Sequence, residues 1–98
     1  MIYHIVTSER WSAFAHKTEY VSETLDTETF VHCSRKEQVA GVLSRFYTGA
    51  TGLLLMEIDE SKLSSPLLYE PATDVADTFP HIYGPINHEA IINVTPIS

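Results

Sequence analysis

The chain has 98 residues, with 13 acidic and 6 basic side chains and a formal net charge of −7. Phosphate backbones and anionic membranes attract basic surfaces, so this balance argues against general nucleic-acid binding and against membrane docking. A hydrophobic content of 44% argues against a disordered chain. We expect one cytoplasmic domain over residues 1–98. An intrachain disulfide is excluded, because Cys33 is the single cysteine.

The N-terminal third predicts a strand, a helix and a loop. Residues 2–6 are rich in β-branched and aromatic side chains, which is typical of a strand. Thr7-Ser8 offers an N-cap for a short helix over residues 9–16. The polar segment 20–29 is predicted as a loop that begins with a short strand.

The middle of the chain contains the strongest helical pattern. Residues 30–33 predict a second strand, and Ser34 with Glu37 fits the capping box of a helix that follows it. Apolar residues then recur at i, i+3, i+4 and i+7, at Val39, Val42, Leu43 and Phe46. We expect this helix to end near Gly49.

The C-terminal half predicts strands separated by proline-rich segments. Strands are expected over residues 53–59, 67–70 and 90–96, with a polar loop over 71–78. The segment 79–85 contains two prolines and a glycine, which predicts a rigid, irregular loop. Strands that pair over long distances, with two helices on one side, indicate an α+β fold.

Three histidines are the strongest candidates for chemistry. His4 and His32 lie in predicted strands, and His81 lies in the proline-stiffened segment. Imidazole titrates near neutral pH, so each could donate or accept a proton. A single strand histidine is more often a hydrogen-bonded core residue, but three of them favour one shared pocket.

Four further residues near these histidines have an expected role. The junction after His32 presents backbone N–H groups that suit an anion such as a pyrophosphate, so Ser34 is a candidate ligand contact. Cys33 alternates with His32 and should face the core. Glu57 is expected on a solvent-facing strand position, whereas Glu70, at a strand end, could reach the mouth of the pocket.

Five segments together resemble the bacterial domain of unknown function 952 family. The most specific are Phe-Val-His-Cys-Ser at 30–34 and Phe-Pro-His-Ile-Tyr-Gly-Pro at 79–85, and the others are 2–5, 38–47 and 55–59. That family resembles the ADP-ribosyltransferase-like superfamily. The resemblance implies a small split, strongly bent sheet with two helices and a cleft for a nicotinamide dinucleotide.

The resemblance also implies roles for individual residues. These transferases have three characteristic active-site positions. His4 corresponds to the first, a histidine that contacts the ribose beside nicotinamide, and His32 corresponds to the second. Glu70 and His81 are alternative candidates for the third, which is a glutamate in many ADP-ribosyltransferases. The predicted catalytic set is therefore His4, His32, His81 and Glu70. The predicted set for binding a nucleotide such as NAD is His4, Tyr3, His32, Ser34 and Tyr83.

Two other classes of function stay open at this stage. Three neutral imidazoles could hold a zinc ion with water as the fourth ligand. Alternatively, the cleft could belong to a non-catalytic module that binds a small molecule or a protein. The leading hypothesis is an ADP-ribosyltransferase-like enzyme, acting as a glycosyl or phosphoryl transferase on a small substrate.

Overall fold

Antiparallel strand pairing organises the chain. The computed structural model describes residues 1–71 and 77–97. Within them the helices are α1 Ser8–Phe14, α2 Leu25–Glu28 and α3 Val39–Phe46. The strands are β1 Ile2–Thr7, β2 Glu19–Tyr20, β3 Val31–His32, β4 Leu53–Ile58, β5 Leu67–Pro71, β6 Thr78–Ile82, β7 Ile86–Asn87 and β8 Ile91–Pro96.

The described strands form two three-stranded sheets, in the orders β1-β4-β8 and β3-β6-β5, and a two-stranded pair of β2 with β7. The three-stranded sheets meet where Tyr3 and Ser34 exchange two backbone hydrogen bonds of 2.8 and 2.7 Å. This bridge places His4 of β1 next to the end of β3. In the second sheet, His32 lies directly opposite His81. The molecule is therefore a mixed, mostly antiparallel α and β fold.

The core fills the space where the sheets and the β2-β7 pair meet. Its buried side chains come from β1, β2, β3, β4, β6, β7 and the turn before β8: Ile2, Val6, Tyr20, Val31, Cys33, Met56, Ile58, Ile82, Ile86 and Ala90. Trp11 and Phe14 of α1 pack against this cluster, as the apolar positions of that helix predict. Removal of these surfaces from water is the main stabilising contribution to the fold.

The prediction of an irregular loop at 79–85 is wrong for residues 79–82 and agrees with the structure for residues 83–85. Thr78–Ile82 forms β6, the central strand of the second sheet, so His81 lies on a strand. Proline has no backbone N–H to donate to a neighbouring strand. Pro80 is tolerated in β6 because its backbone faces Cys33, one residue beyond the end of β3. The Pro80 carbonyl accepts the Cys33 N–H there at 3.0 Å. Gly84, with φ 151°, then turns the chain towards β7. Loop residues 72–76 of the predicted segment 71–78 lie outside the described residues.

Two predicted features around α2 and α3 also need correction. The segment 20–29 contains the short helix α2, which the sequence analysis treated as a loop. The cap of the following helix is Arg35 rather than Ser34: Gln38 Oε1 accepts the Arg35 N–H at 2.8 Å, and a 3-10 turn, Lys36–Gln38, precedes α3. Ser34 cannot serve as this cap because its backbone is engaged in the bridge to Tyr3.

The other predicted elements agree with the structure to within a few residues. The strands at 2–6, 53–59, 67–70 and 90–96 correspond to β1, β4, β5 and β8. Thr7 caps α1 by accepting the Arg10 N–H at 3.1 Å, as predicted. None of the helices in the described parts of the chain has the length and apolar character needed to cross a membrane.

Candidate functional site

A cleft of about 700 Å³ opens between β1, β3, β6 and α3. His4, His32 and His81 all line it, together with Ser34. Its volume lies within the range of about 300–1,000 Å³ that is typical of small-molecule sites. The three imidazoles therefore face one shared space, although they are far apart in the sequence.

His4 is buried, and both of its ring nitrogens already have partners. Nδ1 lies 2.7 Å from the carbonyl oxygen of His32, which can only accept, so Nδ1 carries the proton. Nε2 then accepts from the hydroxyl of Tyr20 at 3.0 Å. Burial lowers the pKa of His4 from 6.5 to about 4, because the charged ring would lose its hydration. His4 is therefore a neutral imidazole that connects three strands.

His32 lies at the open side of the cleft. Its side chain is 50% exposed, and Nε2 lies 2.8 Å from Oε2 of Glu28, on the last residue of α2. The ring of Phe30 packs edge-on against it, with 4.8 Å between centroids. Glu28 is placed beside His32 by α2. The sequence predicts a loop there, so this pair was not expected.

His81 forms a pair with a carboxylate of the neighbouring strand. Its Nδ1 lies 2.8 Å from Oε1 of Glu70 on β5, and the Tyr83 hydroxyl donates to the same oxygen at 2.5 Å. The hydrogen bonds from Tyr83 and from His81 lower the pKa of Glu70. Glu70 is therefore ionised near neutral pH, and its negative charge holds the proton of His81 on Nδ1.

The second ring nitrogen of His81 is available to a ligand. No hydrogen-bond partner of Nε2 is found among the described residues, and none of their buried side-chain nitrogens or oxygens lacks a partner. Nε2 is therefore in contact with solvent, although the residue as a whole is only 8% exposed. Phe30 stacks on this ring at 4.1 Å between centroids and 21° between planes, which holds the imidazole in place.

The remaining predicted residues differ in their relation to the cleft. Ser34 lines it, and its hydroxyl has no partner among the described residues. Tyr3, Glu70 and Tyr83 do not line it: Tyr3 contributes backbone hydrogen bonds, and Glu70 and Tyr83 contact His81 instead. Cys33 lies in the core as predicted, and burial raises the pKa of its thiol, so we expect it to be unreactive.

Several cleft residues were not identified from the sequence. Tyr20 donates to His4, Glu28 bonds His32, and Phe30 stacks on His81. Arg45 and Phe46 line the cleft from α3. The aromatic residues at 20 and 30 each begin a predicted strand, and this position was the one available signal. Of the two histidines given no role, His16 is exposed but His88 stacks on Trp11.

The arrangement of the histidines does not suit a metal ion. Within residues 1–71 and 77–97, no group of three or more histidine, cysteine, aspartate or glutamate side chains is placed to hold one. His4 explains part of this result, because both of its nitrogens bond within the protein. Among these residues the structure therefore gives no support to the alternative of a three-histidine metal site.

The sequence matches one family model over nearly its whole length. The family is described as "Protein of unknown function (DUF952)", and the match covers residues 5–94. The chain belongs to this family. The resemblance inferred from the motifs at 30–34 and 79–85 is thereby confirmed at the level of the DUF952 family. Among curated proteins, none matches the sequence.

Solved structures of one protein from Caulobacter crescentus have the same fold as this chain. The crystal structure of Protein CC0527 from Caulobacter crescentus has a TM-score of 0.87 and 22% sequence identity, covering 99% of this chain and 85% of that chain. The solution NMR structure of CC0527 has a TM-score of 0.83 and 22% identity, covering 99% of this chain and 84% of that chain. At this identity the likeness establishes the fold, and the DUF952 chain shares that fold over its whole length.

Proposed function

We propose that this DUF952 protein is an ADP-ribosyltransferase-like transferase that binds NAD or a related nucleotide in the cleft. In this proposal His81 accepts a proton from the acceptor substrate. The observation that carries it is the pair of Glu70 and His81: a carboxylate fixes the ring through Nδ1, and His81 lines the cleft with no partner for Nε2 among the described residues. Carboxylate–imidazole pairs of this kind orient general bases in many enzymes.

The arrangement of the sheets supports the superfamily part of the proposal. An ADP-ribosyltransferase-like fold has a split, bent sheet with the nucleotide at the split. Here the two three-stranded sheets meet at the bridge of Tyr3 and Ser34, and His4 and His32 lie beside that bridge. The cleft opens at the same place.

The lining of the cleft suits a ligand with a planar ring and hydroxyl groups. Phe30, Phe46 and Phe79 supply aromatic surface, and planar rings stack favourably on such surfaces. The hydroxyl of Ser34, which has no partner in the described parts of the chain, can bond a ligand. Tyr20 donates its proton to His4, so its oxygen can accept a hydrogen bond from a ribose hydroxyl. His4 would then act on the ribose through Tyr20.

The proposed reaction needs only one proton acceptor. An acceptor hydroxyl gives its proton to Nε2 of His81, its oxygen forms a bond to C1′ of the ribose, and the bond from C1′ to nicotinamide breaks. Nicotinamide leaves with the bonding electrons as a neutral molecule, so no acid is required. Glu28, the cleft carboxylate bonded to His32, is the group that would stabilise positive charge on the ribose.

A non-catalytic binding module is the second candidate. The observation that favours it is the full engagement of His4, whose two nitrogens bond within the protein. In that case the cleft would bind a small molecule without transferring any part of it. The wild-type protein would then bind the ligand but would release no nicotinamide from NAD.

Titration with NAD, followed by amide chemical shifts, tests the binding step. We expect perturbations at Phe30, His32, Ser34 and His81 at ligand concentrations up to about 1 mM. His16→Ala is the matched control, since His16 is exposed and does not line the cleft. No perturbation of the cleft residues by NAD or nicotinamide mononucleotide would contradict the proposal.

Release of nicotinamide, with water as the acceptor, tests the chemical step. We expect the wild-type protein to release nicotinamide from NAD. We expect His81→Ala to bind NAD but to release nicotinamide at a rate lower by a factor of about 10² to 10⁴, the usual contribution of a general base. Binding without release in the wild-type protein would favour the non-catalytic module.

A further inference from the structure

Two of the chain's three arginines are occupied by contacts within the protein. Arg10 donates from Nε and Nη2 to the carbonyl oxygen of Val21, at 3.1 and 2.7 Å. Arg35 forms ion pairs with Glu37 at 2.9 Å and with Asp77 at 2.8 Å. Both guanidinium groups therefore hold loops and turns in place.

Arg45 differs from them in pairing with no carboxylate of the described parts of the chain. Its Nε lies 3.5 Å from the carbonyl oxygen of Gly41, at the limit of a hydrogen bond. Among the described residues it forms no ion pair with an aspartate or a glutamate. A guanidinium group has five N–H donors in a planar fork, so most of the donors of Arg45 remain available.

The position of Arg45 would allow its guanidinium group to contact a ligand in the cleft. It lies in the last turn of α3 and lines the cleft, and no other lysine or arginine among the described residues does so. The guanidinium carbon lies 5.5 Å from the centre of the Phe46 ring. Phe46 also lines the cleft, and 65% of its surface is exposed. A cation and a bare aromatic ring thus stand side by side at the open cleft.

We infer that Arg45 binds a phosphate group of the ligand, with a planar ring of the same ligand stacked on Phe46. This inference rests on the proposed nucleotide-binding function and specifies the ligand as a phosphorylated nucleoside. Guanidinium groups bind phosphate through two parallel hydrogen bonds, which lysine cannot reproduce. The cleft lining also contains the carboxylates Glu23 and Glu28, of which Glu28 is bonded to His32. A chain of net charge −7 could therefore bind an anion at Arg45, which forms no ion pair with a carboxylate among the described residues.

Two ligands that differ by one phosphate provide the test. Affinities of nicotinamide mononucleotide and nicotinamide riboside would be measured for the wild-type protein, Arg45→Gln and Arg45→Lys. Lys36→Gln is the control, because it removes the same charge from an exposed turn outside the cleft. We expect Arg45→Gln to weaken binding of the mononucleotide about tenfold or more and Arg45→Lys to weaken it by an intermediate factor. The riboside should bind to every variant within about twofold of wild type.

The outcomes separate the inference from the proposed function. If Arg45→Gln binds the mononucleotide as tightly as wild type does, Arg45 is not the phosphate contact, whereas nucleotide binding in the cleft stands. If the wild-type protein binds neither ligand, both claims are wrong. The Arg45 Nε–H resonance of the wild-type protein gives a second readout that needs no variant: it should shift with the mononucleotide and stay unchanged with the riboside.

Discussion

Two histidines of the same cleft, His4 and His81, are used in opposite ways. Both are largely buried, at 7% and 8% exposure, and both have a hydrogen bond from Nδ1. The acceptor for His4 is a backbone carbonyl, and its Nε2 is bonded to Tyr20. The acceptor for His81 is the carboxylate of Glu70, and its Nε2 has no partner within residues 1–71 and 77–97.

This difference separates an imidazole that is fully used by the fold from one that could take up a proton or bind a ligand. A ring with two internal partners can neither take a proton nor bind a ligand without breaking a bond of the fold. A ring held at one nitrogen by a carboxylate keeps the other nitrogen available in a fixed orientation. Burial alone therefore does not distinguish the two histidines, but their partners do.

The largest effect on stability is expected from His4→Ala. The substitution leaves the His32 carbonyl and the Tyr20 hydroxyl without their partner and creates a cavity beside the core. We expect the free energy of unfolding to fall by about 3–4 kcal/mol, measured by urea denaturation. The exposed His16→Ala should remain within about 0.5 kcal/mol of wild type. Equal free energies of unfolding for His4→Ala and His16→Ala would contradict the structural role assigned to His4.

A pH-dependent loss of stability of similar origin is expected next. The folded pKa of His4 is about 4 against 6.5 for the free side chain, so the unfolded chain binds the proton first as the pH falls. The stabilisation is complete above pH 6.5 and declines between 6.5 and about 4, by about 3 kcal/mol in total. Urea denaturation at a series of pH values would show a steeper decline for wild type than for His4→Gln. Parallel curves would contradict the assigned environment of His4.

A smaller, spectroscopic effect should follow from changing the partner of His81. Hydrogen bonding to Glu70 raises the pKa of the Tyr83 hydroxyl, so Glu70→Gln should return it towards its ordinary value. Ultraviolet titration of tyrosine measures this change. Glu57→Gln is the control, since Glu57 lies on β4 and has no contact with Tyr83 among the described residues. An unchanged Tyr83 pKa in Glu70→Gln would show that the two side chains do not interact.

The sequence predicted those elements whose residues show a clear period. The strand β1 has a run of β-branched and aromatic residues, and the helix α3 has apolar residues at helical spacing. Both elements lie close to the expected residues. By contrast, α2 is only four residues long and has no apolar stripe. Pro80 suggested an irregular loop, because a proline is rarely found in a central strand. It is accepted in β6 because the neighbouring strand β3 ends beside it. Where β3 ends relative to β6 depends on the pairing of the two strands, which the sequence does not show.

The candidate site was predicted in its histidines but not in their partners. That His4, His32 and His81 share a cleft agrees with the expectation from the sequence. Which nitrogen each ring leaves free depends on Tyr20, Glu28 and Glu70, and therefore on pairing between strands and on α2. Single-residue patterns do not contain that information. The roles of these residues in binding and transfer remain the predictions made above.

Nitrogen chemical shifts of the imidazole rings test the contrast between His4 and His81 most directly. They would be recorded from pH 8 to 4 without ligand, and at pH 7 with NAD. We expect His4 to keep its proton on Nδ1 and to remain neutral until the pH approaches 4, and to keep this protonation state at pH 7 when NAD is added. We expect Nε2 of His81 to shift when NAD is added. Titration of His4 near pH 6.5, or a His81 Nε2 signal that NAD leaves unchanged, would contradict the account.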